Sequence, residues 1–309
     1  MRVMNILSLF DWISCWQVAL RRLWIPIDAY YASEIDKFAI AVTQHRHPNT
    51  IQLGDIRERK TRDIDWGGID LLFAGFSCQS RSIAGKWLWD RDPRWQLMWD
   101  MIDIRDHLLE HNPQAKFLFE NVKMKKDFQV YVNEAIACHP VLINSALVSA
   151  QNRNRLYWTN INDWFVPQPQ DQWVVLRDIL EDEVDEKYYL SEEYHKRFEK
   201  SNLKMDWAIK VVGTTVWTGK WTNSRHRVHT DEWKIWTISA TDHKQPKQII
   251  RLWQIRKLTP RECERLQTLP DDYTLVPRQK RMMSDTQRYK QCGNWWTVDV
   301  ICHILSFTP

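Results

Sequence analysis

Ile69-Asp70-Leu71-Leu72-Phe73-Ala74-Gly75-Phe76-Ser77-Cys78-Gln79-Ser80 runs from a short apolar stretch, through a glycine, into a polar loop that carries a cysteine. An apolar run without polar alternation suits a strand buried on both faces, as in the middle of a parallel sheet. The pattern recurs on either side of this stretch. Met4–Phe10 is a similar run, and Ile27–Ser33 reads as a strand ending in the acids Glu34 and Asp36. Lys116–Glu120 and Leu142–Val148 are further candidates. Between them, a segment around Val18–Leu23 could supply a helix. Leu97, Met98, Met101, Ile102, Leu108 and Leu109 recur at helical spacing from Gln96 to Leu109. Strands alternating with helices predict an α/β fold, a mostly parallel sheet covered on both faces. Ligands of such sheets gather beyond the carboxyl ends of the strands, and Phe10-Asp11, Glu34, Cys78 and Glu120 all fall there.

From about Asp163 to Lys257 the alternation fades. Pro167, Pro169, the acidic run Glu181–Glu186 and a polar stretch rich in tryptophan mark a second lobe. Order returns at Thr259-Pro260-Arg261-Glu262, whose capping threonine, first-turn proline and glutamate three residues after the cap predict a helix over Pro260–Leu269. Thr297–Phe307 reads as an apolar terminal helix.

At 309 residues, with 44% hydrophobic and 27% charged residues, the chain can form one large domain and a smaller lobe. A net charge of +4 permits a nucleic-acid partner without requiring one. The six cysteines are scattered with no CxxC pair, which argues against a zinc site or a disulfide framework, and no metal is expected. Met1–Phe10 lacks the features of a signal peptide, and no run approaches the roughly 20 apolar residues of a membrane span. An intracellular, reduced protein is expected.

Singly, the chemical candidates are ambiguous. A loop cysteine is more often a small buried hydrophobe than a nucleophile. Glu120 could cap a helix or pair with a lysine, Glu34 could be a solvated strand end, and Arg153 and Arg155 could be surface charges. In series they form eight ordered blocks: Phe10-Asp11, Glu34-Ile35-Asp36, Gly54-Asp55-Ile56, Gly75-Phe76-Ser77-Cys78-Gln79-Ser80, Phe119-Glu120-Asn121-Val122, Gln151-Asn152-Arg153-Asn154-Arg155, Arg261-Glu262-Cys263-Glu264-Arg265-Leu266-Gln267 and Gln291-Cys292-Gly293-Asn294. This series resembles that of the cytosine-5 DNA methyltransferase family, of bacterial and prophage type, over nearly the whole chain.

The resemblance implies a Rossmann-like S-adenosylmethionine-dependent methyltransferase fold with a second, smaller DNA-recognition lobe. Residues 1–165 would be the catalytic domain, completed by a C-terminal helix within 285–309, and 166–284 the target-recognition domain. The implied enzyme methylates carbon 5 of a cytosine flipped out of double-stranded DNA, since the base cannot be reached inside the stack. Cys78 would add to carbon 6 as a thiolate, Glu120 would hold and protonate nitrogen 3, Arg153 would supply fixed positive charge, and Arg155 would support the geometry. For the cofactor, Phe10 would pack on the adenine and Glu34 would accept from the ribose hydroxyls. Asp55 would accept from the adenine amino group, Ile35 and Ile56 would make apolar contacts, and Asp11 and Asn294 complete the set. An acid about twenty residues past the first turn serves ribose in dinucleotide folds as well. Lys220, Arg225, His226, Arg227, Lys234, Lys244 and Lys247 could contact DNA, or form a solvated basic face. The family context is a cytoplasmic, monomeric protein, bacterial or phage-encoded, of the restriction-modification kind.

The departures from the family cluster where backbone conformation matters. The glycine-rich turn after the first strand is here Asp11-Trp12-Ile13-Ser14-Cys15-Trp16. Trp89, Trp95, Trp253 and Trp295 also stand where glycine is expected, Ser77 replaces a proline, and Arg81 an aromatic residue. The chain has 19 tryptophans and 8 glycines, against roughly 20 glycines at typical usage. Glycine serves such turns because it tolerates positive φ and has no side chain to collide with a ligand. The exchange looks systematic, and codon misreading, hypermutation, gene decay and engineering all fit it. Three functional classes follow: an active DNA enzyme, an impaired homologue that binds DNA or a partner methyltransferase, and an RNA cytosine methyltransferase on the same scaffold.

Overall fold

Residues 3–61, 64–75, 93–193, 211–214, 227–251, 254–278, 281–294 and 296–308 are described in a computed structural model of the chain. Ser77, Cys78, Arg81, Trp89, Lys220, Arg225, His226, Trp253 and Trp295 lie outside them, as do the side chains of Trp95 and Arg227. The chain forms two compact units, one of residues 1–143, 154–168 and 301–309, the other of 144–153 and 169–300.

In chain order the first half contains β1 (Met4–Leu9), α1 (Cys15–Arg22), β2 (Ile27–Ser33), α2 (Lys37–Arg46), β3 (Ile51–Gln52), β4 (Leu71–Gly75), α3 (Pro93–His111), β5 (Lys116–Val122), α4 (Lys126–Ile136), β6 (Val141–Asn144), β7 (Gln151–Asn152) and β8 (Asn154–Thr159). The first unit is built on a seven-stranded sheet ordered β3-β2-β1-β4-β5-β8-β6. The strands from β1 to β5 pair in parallel, and β8 runs antiparallel to β5. Side chains alternate across a strand, and both faces are covered. Leu72 and Ala74 of β4 join a core with Met98 and Met101 of α3 and Val132 and Ile136 of α4. Phe73 points the other way and stacks on Trp16 of α1, with ring centroids 4.0 Å apart. Burial on both sides explains the unbroken apolar runs. The parallel order brings the ends of β1, β2 and β4 to one edge, which is what positions the site.

The second unit has its own sheet, ordered Gln254–Lys257, Gln248–Arg251, Arg227–Thr230, Val211–Thr214. Its core gathers Ala150, Leu176, Ile235, Ile238, Ile249, Leu258, Cys263, Leu266 and Cys292. The helix Pro260–Leu266 starts with the expected capping box, Thr259 Oγ1 accepting from the Glu262 amide (3.1 Å) and Glu262 Oε2 from the Thr259 amide (2.8 Å). It ends three residues before the predicted limit, because Thr268 turns to φ 53° and Pro270 follows. β6 also stops early. Asn144 Oδ1 accepts from the Ala146 amide (3.0 Å), so a side chain replaces the ladder partner and the backbone enters a 3₁₀ turn at Ser145–Leu147.

Candidate active site

The carboxyl end of β1 opens into a tight turn in which Phe10, Trp12 and Ser14 have positive φ (56°, 49° and 56°). Asp11, fully buried between them, organises the turn. Its carboxylate accepts from Tyr30 Oη (2.7 Å) and from Ser14 Oγ. Burial pushes the Asp11 carboxyl above its usual range, against the pull of those hydroxyls.

Glu34, just past β2, is 7% exposed. Its Oε2 accepts from the Trp12 amide (2.8 Å), and its Oε1 from the amides of Ile35 and Asp36 (2.7 Å each). Burial raises this carboxyl too, the three amides oppose the rise, and nearby Asp11 adds to it. A carboxylate offers about four lone-pair sites, so three amide donors leave room for one more. Asp36 caps α2 through the amides of Phe38 (2.8 Å) and Ala39 (3.3 Å).

Phe10 is half-buried and packs against the sheet core. Ile35 is 73% exposed, whereas Ile56 is 5% exposed and belongs to the core. Asp55 follows Gly54, whose φ is 74°, and its carboxylate lies on the Arg57 guanidinium (Nε at 3.0 and 3.1 Å). That hydrogen bond holds the Asp55 carboxyl below its usual range. Ring, ribose-type acid and second acid fit a nucleoside by the chemistry of their donors and acceptors. Trp12 is half-buried beside them.

Further along the sheet, Glu120 of β5 is 8% exposed, and its Oε1 meets Arg155 Nε of β8 at 2.8 Å. The register pairs Glu120 with Tyr157 and Val122 with Arg155. Glu120 and Arg155 are therefore diagonal neighbours on one face, where long side chains reach each other. Arg155, to which the sequence reading gave a part in the geometry of the site, places its guanidinium on Glu120. Arg153 belongs to the second unit, is 2% exposed, and donates to the carbonyls of Ile238 (2.8 Å) and Gly293 (3.4 Å).

That second unit ties together three blocks far apart in sequence. Gln151 Nε2 donates to the Leu266 carbonyl (2.6 Å) and to Gln267 Oε1 (3.0 Å), and Gln267 Nε2 to the Cys292 carbonyl (2.7 Å). Gly293 lies against the Ser239–Ala240 peptide so closely that a Cβ would overlap it. Asn294 ends the helix Asp285–Asn294 with its Nδ2 buried. Sequence reading missed Gln267 as a hub; its place in the seventh block was the only signal.

Two residues expected to meet DNA are engaged within the unit. Lys247 is 5% exposed with Nζ 3.5 Å from Asp242, and Lys234 donates to the Val174 carbonyl (2.7 Å). Desolvation lowers the Lys234 amine below its usual range. Lys244 remains exposed. Cys138, Cys263 and Cys292 are buried, and burial pushes their thiols up. No helix among the described residues is long and apolar enough to cross a membrane.

Residues 4–307 match the family described as C-5 cytosine-specific DNA methylase. The chain is 31% identical to the Type II methyltransferase M.NlaX of Neisseria lactamica, over 96% of this chain and 93% of that protein. It is 30% identical to the Type II methyltransferase M.HpaII of Haemophilus parainfluenzae, over 96% and 86%. Its fold is similar to that of the S. pombe Dnmt2 methyltransferase (TM-score 0.71, 18% identity, 98% of this chain and 97% of that one). A putative DNA modification methyltransferase encoded within an E. coli prophage is also similar (0.67, 17%, 98% of each). The family match and the sequence identity run along nearly the full length, and the chain belongs to the C-5 cytosine-specific DNA methylase family, whose reaction is S-adenosylmethionine-dependent methylation of cytosine carbon 5 in DNA.

Proposed function

We propose that this chain performs the family reaction on duplex DNA with Cys78 as nucleophile and Glu120, positioned by Arg155, as the acid on the opposite side of the base. The observation that carries the reading is the Glu120–Arg155 contact at 2.8 Å on the strand next to β4, which ends three residues before Cys78 in the sequence. Buried carboxylates and guanidinium groups are kept in such positions when charge must be managed away from water.

In this scheme the Cys78 thiolate adds to carbon 6 of the flipped cytosine. Glu120 delivers a proton to nitrogen 3, so the electron pair pushed into the ring reaches carbon 5 without leaving an anion. S-adenosylmethionine supplies the electrophilic methyl group. Loss of the carbon-5 proton then expels Cys78 as a thiolate, nitrogen 3 returns its proton to Glu120, and the aromatic ring is restored. Burial pushes the thiols of Cys138, Cys263 and Cys292 up, away from the thiolate that this step needs.

Glu34 would give its remaining lone-pair capacity to the ribose, Phe10 its ring and Ile35 its exposed side chain to the adenine, and Asp55 an acceptor to the amino group once Arg57 yields. Asp11 would act by shaping the turn, Ile56 by backing it from the core, and Asn294 through its buried amide. Arg153 would fix the block that precedes Arg155. The second unit would read the target sequence. We place the protein as a monomer in the cytoplasm of a bacterium, encoded there or by a phage.

Bisulfite sequencing of plasmid from cells expressing the chain tests this reading. Protection of cytosines within one short sequence, lost with Glu120→Gln, is expected. Protection that survives Glu120→Gln would remove Glu120 from the mechanism. Parallel assays on transfer RNA and plasmid would separate DNA from RNA as substrate.

A further inference from the structure

Trp12, Trp24, Trp164 and Trp173 have φ of 49°, 57°, 71° and 57°. Bulky residues are genuine outliers in this region, because Cβ crowds the carbonyl oxygen. Position 24 shows what the backbone asks for. The Trp24 amide donates to the Arg21 carbonyl (3.1 Å) and the Ile25 amide to the Leu20 carbonyl (3.0 Å). These are the two bonds of a Schellman motif with Leu23 as C-cap, and residue 24 holds the C′ position that glycine usually fills. The indole contributes no burial there, being 83% exposed.

Trp173 is 78% exposed, in a turn whose amide is held by Asp171 Oδ1 at 2.8 Å. Trp164 is 55% exposed and follows two more left-handed residues, Asn162 and Asp163. Trp12 lies in the turn after β1. Trp16 and Trp158, in contrast, are fully buried packing residues, so tryptophan is not misplaced everywhere.

We infer that the working protein carries glycine at positions 12, 24, 164 and 173, because a triplet written here as tryptophan is read as glycine in the organism that makes it. Gene decay would scatter many kinds of substitution, whereas four of the eleven non-glycine residues with positive φ among the described residues are tryptophan. Mutation of glycine's four codons would yield several products, whereas a reassigned triplet yields one. The shortage of glycine, 8 residues against 19 tryptophans, has the sign that this exchange requires. For the known reaction, the consequence is that residue 12 is a positioning glycine at the cofactor turn.

Mass spectrometry of tryptic peptides from the protein isolated from its own cells decides the matter. Glycine at 12, 24, 164 and 173 is expected, and tryptophan there overturns the inference. Recombinant chains give an independent answer at sites away from the proposed chemistry. Trp24→Gly combined with Trp173→Gly should raise Tm by roughly 5 °C, through relief of two left-handed strains. Trp158→Gly, a change in the packed core, should abolish cooperative unfolding. A Tm unchanged or lowered by the 24/173 pair would contradict the inference whatever the enzyme does. Trp12→Gly rests in addition on the site reading, and should strengthen S-adenosylmethionine binding in calorimetry at least tenfold.

Discussion

Glu120 was visible in the sequence as an acid at a strand end, but its partner was not. Arg153 and Arg155 stand two apart in one block, and nothing in their spacing says which meets Glu120. The pairing of β5 with β8 decides it, and strand register is a long-range property. Arg155→Ala should leave a carboxylate that is 8% exposed without this guanidinium and lower methyl transfer by about 100-fold or more, with Arg155→Lys recovering only part of it. Tritium transfer from labelled cofactor to duplex DNA measures this; an Arg155→Ala enzyme of near-normal rate would separate the pair from catalysis.

His47 yields a prediction that does not concern catalysis. Burial, with Arg21 and Arg46 nearby, lowers its pKa from 6.5 to about 4. The unfolded chain takes up this proton near pH 6.5, and the folded chain does so only near 4. The stability contributed by neutral His47 is thus complete above pH 6.5 and is lost as pH falls towards 4, on the order of 3 kcal/mol in all. Denaturant melts should show that loss, and His47→Gln should flatten it. The buried acids Asp11 and Glu34, whose carboxyls are raised, act in the opposite sense, so the difference between the two chains is the quantity to compare.

Among the elements, signals confined to neighbouring residues were readable and those that depend on distant contacts were not. The capping box at Thr259 placed a helix start correctly because all its parts lie within four residues. The end of β6 was misjudged because Leu142–Val148 looks uniformly apolar, while one side-chain amide at Asn144 turns the chain. The close approach of Gly293 to the Ser239–Ala240 peptide was also hidden, being a contact between segments more than fifty residues apart. Gly293→Ala should cost about 3 kcal/mol, at the upper end for overpacking, and lower Tm in a thermal melt. An unchanged Tm would mean that the helix Asp285–Asn294 can shift without loss.

For the molecule as a whole, the parallel sheet was legible because Phe10-Asp11, Glu34-Ile35-Asp36 and Phe119-Glu120-Asn121-Val122 sit at the ends of β1, β2 and β5. The second unit was legible mainly as a loss of pattern. Its sheet joins strands with weak periodicity, and two of the lysines expected on its surface are tied to Asp242 and to a main-chain carbonyl instead. The tryptophan excess was visible in composition, but only φ values could separate indoles that pack from indoles that stand where glycine belongs.

The central claim is that a sulfur at position 78 bonds to the target cytosine while the chain methylates DNA. Duplex DNA with 5-fluorocytosine at the target cannot release the enzyme after methyl transfer, so peptide mapping of the trapped complex reads the nucleophile directly. With S-adenosylmethionine present, the account predicts a covalent adduct on Cys78, abolished by Cys78→Ser and increased by Trp12→Gly. An adduct on any other residue, or none with either the chain as written or its Trp12→Gly variant, would contradict it.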